Sequence, residues 1–416
     1  MESLIINGGN RLYGEVLVSG MKNSALPIIY ATLLIDGKCI LKNVPAVSDI
    51  KNSFLILESM GAKVRELDKN TFEIDTRDAC TFIKRKDLVS KLRASYYLLG
   101  AMVSRFNEVE IPYPGGCNLG PRPIEQHIKG FDLLGAICTE EQGNIKIQVK
   151  NKLKSKKITL DKISVGATIN MVLASIFIEG ITVIENAAIE PHVDDLINFL
   201  NLSGAKIARN NRVILIQGVK KLKGITYYIY PDMIEALSYI TFLGACKGEI
   251  TLKCCEPSHL TYSLDIFEEM GFKLKIYDKC INASAEKIKG VSIETQPYPL
   301  FPTDVHPQMS SLLCFAKGGG EIVENIFPSR FAYVNELKKM GAKIERYGNK
   351  VIIQESRLHG AALDATDLRA GASLITASLG AEGESTISNV NYIVRGYESI
   401  VDKITAIGGK IQLKGV

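Results

Sequence analysis

The sequence predicts an α/β protein built from six copies of one unit, grouped into two similar domains. Three observations carry that prediction. A phrase made of a helix end, a glycine and a short apolar strand recurs about every seventy residues through the chain. Each unit opens on a run of small and apolar residues with no polar face, the mark of a helix covered on every side. Between the two lies a strand with alternating apolar positions. A unit of seventy residues or so cannot cover such a helix alone, so the helices are expected to turn inward in two groups of three. No Pro/Ser-rich linker separates the groups, which predicts short hinges and a cleft where ligands bind.

The recurring phrases are Met60-Gly61-Ala62-Lys63-Val64, Leu134-Gly135-Ala136-Ile137, Ser203-Gly204-Ala205-Lys206-Ile207, Met270-Gly271-Phe272-Lys273-Leu274, Met340-Gly341-Ala342-Lys343-Ile344 and Ile407-Gly408-Gly409-Lys410-Ile411. Buried helices are expected over 23–34, 94–103, 167–178, 234–246, 309–317 and 370–379. A strand follows each, as in Gly180-Ile181-Thr182-Val183-Ile184 and Gly248-Glu249-Ile250-Thr251-Leu252. Next comes an amphipathic helix, as over 193–202 and 334–340, closed by the repeat glycine at its C-terminus. Two more strands end the unit, as over 343–347 and 350–354.

Composition narrows the function classes. Hydrophobic residues at 46% and charged residues at 23% describe an ordinary globular chain, large enough for two or three domains. A mild net charge of +5 without a dense basic block argues for small anionic ligands at least as well as for nucleic acid, and no nucleic-acid partner is expected. Lys152, Lys154, Lys156 and Lys157 read as a solvated turn. Nine cysteines without a CxxC pair, with Cys254 and Cys255 the one adjacent couple, argue against a disulfide framework or a zinc site. Five dispersed histidines without HExxH agree, and no metal or cofactor is expected. The start of the chain has no signal-peptide pattern and no run of eighteen apolar residues occurs, so a cytoplasmic protein without a membrane partner is expected.

The candidate chemistry begins with Cys117, on a loop that has Gly115 and Gly116 before it and Arg122 after it. Glycines let such a loop move, and a nearby guanidinium lowers a thiol pKa and binds phosphate or carboxylate. An ordinary small residue in a turn is the competing reading. Charged residues also stand at or just before buried helices: Lys22, Arg93, Asp304, and Asp367 with Arg369. Such charges are costly unless they face a ligand or each other. With Arg122, Arg330 and Arg395 on loops, they describe a site for a small, highly charged anion; ion pairing is the competing reading for each arginine. Neither a Walker loop nor GxGxxG is present. Ser164, Val165 and Gly166 open a buried helix whose amides suit a phosphate, or Ser164 is a plain N-cap. Asp304 reads either as a general base or as another N-cap.

Taken together, Ser19-Gly20-Met21-Lys22-Asn23-Ser24-Ala25-Leu26-Pro27, Leu92-Arg93-Ala94-Ser95-Tyr96, Pro114-Gly115-Gly116-Cys117, Ser164-Val165-Gly166-Ala167-Thr168, Phe301-Pro302-Thr303-Asp304, Asp367-Leu368-Arg369-Ala370 and Arg395-Gly396-Tyr397-Glu398 resemble the enolpyruvyl transferases. The resemblance spans the whole chain and is to the branch acting on UDP-N-acetylglucosamine. It implies two inside-out α/β, barrel-like domains, each of three βαβαββ repeats around buried helices, over 22–229 and over 1–21 with 230–416. The active site is expected in the cleft between them. It implies transfer of the carboxyvinyl group of phosphoenolpyruvate to the 3'-hydroxyl of the sugar nucleotide with release of phosphate, the first committed step of peptidoglycan synthesis.

Carried over by position, the resemblance makes Cys117 the proton-donating loop thiol, open to alkylation by fosfomycin. Asp304 would accept the hydroxyl proton. Lys22, Arg122 and Arg395 would hold phosphoenolpyruvate, with Arg330 and Arg369 nearby. Asn23, Arg93, Arg122, Pro123, Ile124, Glu125, Gln126, Lys162 to Val165, Gly166 and Ile326 would bind the nucleotide, in a monomer or weak homo-oligomer. The chain departs from the family's usual residues at Met233, Leu237, Ser238, Ile189, Leu300, His306 and the segment Ile124-Glu125-Gln126, so the phosphoenolpyruvate half is intact whereas the acceptor half is altered. Those changes keep open a paralogue that acts on another nucleotide such as UMP. A catalytically silent homologue fits less well, because it has no reason to keep a costly charge cluster.

Overall fold

The computed structural model describes residues 2–115 and 124–415. The chain forms two compact units. One gathers residues 2–19 and 231–415, and the other the described residues from Gly20 to Tyr230. The sequence placed these boundaries at 21/22 and 229/230.

One repeat of the second unit shows how the sequence makes the motif. Strand Lys157–Thr159 leads into the buried helix Val165–Ser175, and strand Ile181–Glu185 returns parallel to the first, with Ile158 opposite Ile184. A parallel pair needs such a crossover, and the helix supplies it. The amphipathic helix Pro191–Leu202 then carries the chain to strands Lys206–Asn210 and Val213–Gln217, which add antiparallel to the same sheet. Alternate residues of Val213–Gln217 face inward, Ile214 and Ile216 being buried while Leu215 is exposed. Each sheet therefore covers the helices with one face and meets water with the other.

The same spatial order recurs in Thr226–Tyr228, Lys38–Lys42, Thr71–Asp75 and Lys63–Asp68. The other unit has three such sheets, for example Ser292–Glu294, Gly320–Val323, Lys350–Gln354 and Lys343–Tyr347. The sheet Glu108–Pro112, Asn144–Gln148 and Ile137–Glu141 has only three strands among the described residues. Closure explains why the first residues join the C-terminal half. Ser3–Asn7 pairs with Glu384–Ser388 and Lys410–Lys414, and Leu12–Leu17 runs parallel to Gly248–Lys253.

The six repeat glycines, Gly61, Gly135, Gly204, Gly271, Gly341 and Gly408, all have φ between 89 and 110 degrees. Residues with a β-carbon avoid that region, so glycine is what lets each amphipathic helix stop and turn into its strand. The buried helices are Lys22–Ala31, Tyr97–Phe106 and Val165–Ser175 in one unit and Met233–Cys246, His306–Leu313 and Leu368–Gly380 in the other. Each departs from its expected span at one end or both, and the second and fifth shift as a whole. The second starts later because Arg93–Tyr96 forms a separate 3-10 turn, and the fifth starts and ends earlier, with Pro307 in its first turn. Small residues set the helix spacing. A β-carbon at Gly100 would lie 2.5 Å from the carbonyl oxygen of Asn170. Among the described residues no helix is long and apolar enough to cross a membrane.

Candidate active site

Asp304 is the centre of the C-terminal cluster. It lies in the 3-10 turn Thr303–Val305 ahead of helix His306–Leu313, and that helix has no side-chain cap. Its carboxylate instead meets two guanidiniums, Arg330 Nη1 at 2.7 Å and Arg369 Nη2 at 3.2 Å. Both arginines are buried, while the Asp304 side chain keeps a quarter of its exposure. Burial alone would push the Asp304 carboxyl up, but Arg369 and then Arg330 outweigh it and hold the group far below the usual carboxylate range. Capping is therefore not what this aspartate does.

Capping does account for three counterparts. Asp367 accepts the amides of Arg369 and Ala370, and Asp232 those of Ile234 and Glu235. Ser164 accepts the amide of Ala167 at 3.3 Å, so the plain N-cap reading describes its side chain.

Two polar chains support the arginines from behind. Arg369 Nη1 donates to the Tyr397 hydroxyl at 3.2 Å, which lies 2.8 Å from Ser238 Oγ, and Gln308 Nε2 donates to both hydroxyls. Arg330 Nη1 donates to Thr303 Oγ1 at 2.9 Å, and that hydroxyl donates to Glu324 Oε2 at 2.8 Å. The Arg330 guanidinium lies 4.7 Å from the Phe327 ring centre, and its Nε is buried without an acceptor among the described residues. One carboxylate held by two guanidiniums leaves an excess positive charge, suited to a phosphate or carboxylate ligand.

The other unit has a simpler charge arrangement. Lys22 opens helix Lys22–Ala31, and its Nζ lies 2.9 Å from Asp49 Oδ2, both side chains being nearly buried. Pairing offsets part of the cost of burying each charge. Arg93 stacks on Tyr96, 4.3 Å from its ring centre, and burial lowers its pKa from the ordinary arginine value. His127 is buried, with Nδ1 2.8 Å from Asn170 Nδ2, and burial followed by Arg93 lowers its pKa to about 4. Gln126 is joined to Asp161 by two bonds, from its Nε2 to the carboxylate and from the Asp161 amide to its Oε1. Those bonds tie the start of helix Glu125–Leu134 to the segment leading to Ser164.

The remaining candidates are distributed as follows. Cys117, Arg122 and Pro123 lie outside the described residues. Ile124 is buried and Glu125 exposed at the start of their helix. Asn23, Val165, Gly166, Ile326 and Arg395 are half-buried, and Lys162 is exposed. The competing ion-pair reading holds for Arg330 and Arg369, which share Asp304. Sequence reasoning missed Asp49 and Glu324. Repeat alignment would have exposed Glu324, because it follows its strand where Asn43, Asn186 and Asn389 follow theirs. For Asp49 no such signal exists.

Comparison with known proteins agrees with this architecture. The EPSP synthase (3-phosphoshikimate 1-carboxyvinyltransferase) family profile matches residues 6–404. A UDP-N-acetylglucosamine 1-carboxyvinyltransferase 2 of Clostridium acetobutylicum is 45% identical over 99% of both chains. A UDP-N-acetylglucosamine 1-carboxyvinyltransferase 3 of Caldanaerobacter subterraneus is also 45% identical over 99% of both. Among solved structures, the enolpyruvyl transferase NikO from Streptomyces tendae superimposes with a TM-score of 0.90 at 22% identity, over 99% of this chain and 98% of that one. An EPSP synthase from Acinetobacter baumannii gives 0.76 at 18% identity over all of both chains. These two likenesses establish the inside-out fold. The full-length relatives and the profile carry the assignment further: the chain belongs to the EPSP synthase family of enolpyruvyl transferases, in its UDP-N-acetylglucosamine 1-carboxyvinyltransferase branch.

Proposed function

We propose that this protein transfers the carboxyvinyl group of phosphoenolpyruvate to the 3'-hydroxyl of UDP-N-acetylglucosamine and releases phosphate, the first committed step of peptidoglycan synthesis in the cytoplasm. The names of the full-length relatives support the substrates. The observation that carries the chemistry is Asp304, a carboxylate kept out of helix capping and set between Arg330 and Arg369.

In this reading the sugar hydroxyl oxygen attacks C2 of phosphoenolpyruvate, its proton goes to Asp304, and the Cys117 thiol protonates C3. The resulting tetrahedral adduct then loses a C3 proton and expels phosphate, so the vinyl group is restored on the new ether. Asp304 is a weak base while two guanidiniums hold it down. An anionic substrate that draws Arg330 and Arg369 to itself raises the carboxylate's basicity when the hydroxyl arrives. The buried Arg330 Nε is a donor available to that anion. Lys22, Arg122 and Arg395 add positive charge for phosphoenolpyruvate. Arg93, the segment from Ile124 to Gln126, and Ser164 to Gly166 hold the nucleotide. Fosfomycin alkylates Cys117.

The test is product identification. Incubation of phosphoenolpyruvate with UDP-N-acetylglucosamine should yield a sugar nucleotide heavier by one carboxyvinyl group, with vinyl protons in the NMR spectrum. Product formed only from UMP would overturn the choice of acceptor, and no product from either would overturn the transferase reading.

A further inference from the structure

The Asp304 cluster continues inward to a second carboxylate that the reaction does not touch. Glu324 and His306 have no solvent exposure, and His306 Nδ1 lies 2.9 Å from Glu324 Oε2. Burying Glu324 would push its carboxyl up, but five donors oppose that, His306 first, and its pKa falls to about 2. Burial lowers the His306 pKa despite Glu324, so the ring is neutral and the proton it shares with the ionised carboxylate sits on Nδ1. His306 Nε2 then accepts from the Tyr333 hydroxyl at 2.8 Å, and Ser310 Oγ is 2.7 Å from that hydroxyl.

The two oxygens of Glu324 have separate tasks. Oε1 accepts the amides of Ile326 and Phe327, at 2.7 and 2.9 Å, and so shapes the turn that leads to Arg330. Oε2 accepts the Thr303 hydroxyl proton, which leaves a lone pair of that oxygen for Arg330 Nη1. The other hydrogen of Nη1 points to Asp304 Oδ1. A hydroxyl has one proton, so if Glu324 turned away, Thr303 would be free to rotate and Arg330 would lose its fixed second acceptor.

We propose that His306, Glu324 and Thr303 are positioning residues, a buried relay that fixes the direction in which Arg330 presents its guanidinium to Asp304 and to the anionic substrate. The relay rests on the reading that Asp304 and Arg330 serve enolpyruvyl transfer. His306 locks Glu324, Glu324 locks the Thr303 hydroxyl, and Thr303 locks Arg330. None of the three needs to touch substrate for this. A site that must hold geometry closely gains from such a second layer.

The experiment is a double-mutant cycle on the full chain with Thr303→Val, His306→Leu and the combination, reading kcat and KM for both substrates alongside melting temperature. Each single variant should lower kcat about tenfold, and the double variant should fall no more than about twofold below the worse single, because either change breaks the same relay. Thr303→Ser and His306→Gln, which keep a hydroxyl and a donor, should recover most of kcat. Losses that multiply in the double variant, or a lower melting temperature with kcat unchanged, would overturn the relay. If the wild type turns over no acceptor, the functional reading fails by itself. The same variants are then compared for phosphoenolpyruvate binding by calorimetry, where coupled losses support the relay and independent losses refute it.

Discussion

Asp304 and Asp367 stand at matching places in consecutive repeats, each just ahead of a buried helix, yet their carboxylates do different things. Asp367 accepts two amides of its own helix, at 2.9 and 3.1 Å. Asp304 meets two guanidiniums from elsewhere in the chain. The local reason is visible in the sequence. Pro307 is the second residue of helix His306–Leu313 and has no amide hydrogen, so it removes one of the donors that a capping carboxylate would engage. The 3-10 turn Thr303–Val305 also sets Asp304 back from the helix start. A carboxylate relieved of capping is available for chemistry, whereas one that caps is committed to the fold.

That contrast can be broken in order of effect. Arg369→Leu leaves Asp304 with one partner instead of two and should cost about 3–5 kcal/mol in denaturant unfolding, the range for breaking a buried ion pair. No loss would make the pair an idle contact. His127 offers a pH test in the other unit. Its pKa falls from 6.5 to about 4 on folding, so as pH drops the unfolded chain takes up the proton first and stability is lost between those values, by about 3 kcal/mol. Asp195 works in the opposite sense, because burial raises its pKa from 3.8 to about 6 and its contribution is lost as pH rises through that window. The difference between wild type and His127→Gln isolates the histidine, and an unchanged acid slope in the variant would contradict the assignment. Asp367→Ala should cost about 1–2 kcal/mol, with most of it returned by Asp367→Ser, since either side chain caps. Failure of serine to recover stability would mean that Asp367 acts through Arg369 instead.

Much of the fold was legible because its punctuation is chemical. Six glycines had to adopt positive φ, and an apolar run without a polar face had to be buried on all sides. The short parallel edge strands were harder. Lys157–Thr159, Ser292–Glu294 and Ala362–Asp364 are three residues each, too few to show a period, and their partners lie across a helix. Candidate site residues were legible where a charge interrupted an apolar context, as at Lys22, Asp304 and Arg369. Their partners were not. Asp49 looks like any acidic residue in a first helical turn, and Glu324, His306 and Thr303 reveal their bonds only once three loops and a helix are folded together.

The most direct test of the contrast is Asp304→Asn, assayed for phosphate release from phosphoenolpyruvate with UDP-N-acetylglucosamine and, separately, for nucleotide affinity. A general base contributes about 10²–10⁴-fold, so kcat should fall by that order while nucleotide affinity changes little. Equal losses in turnover and affinity would make Asp304 a binding residue, and unchanged turnover would contradict the account at its centre.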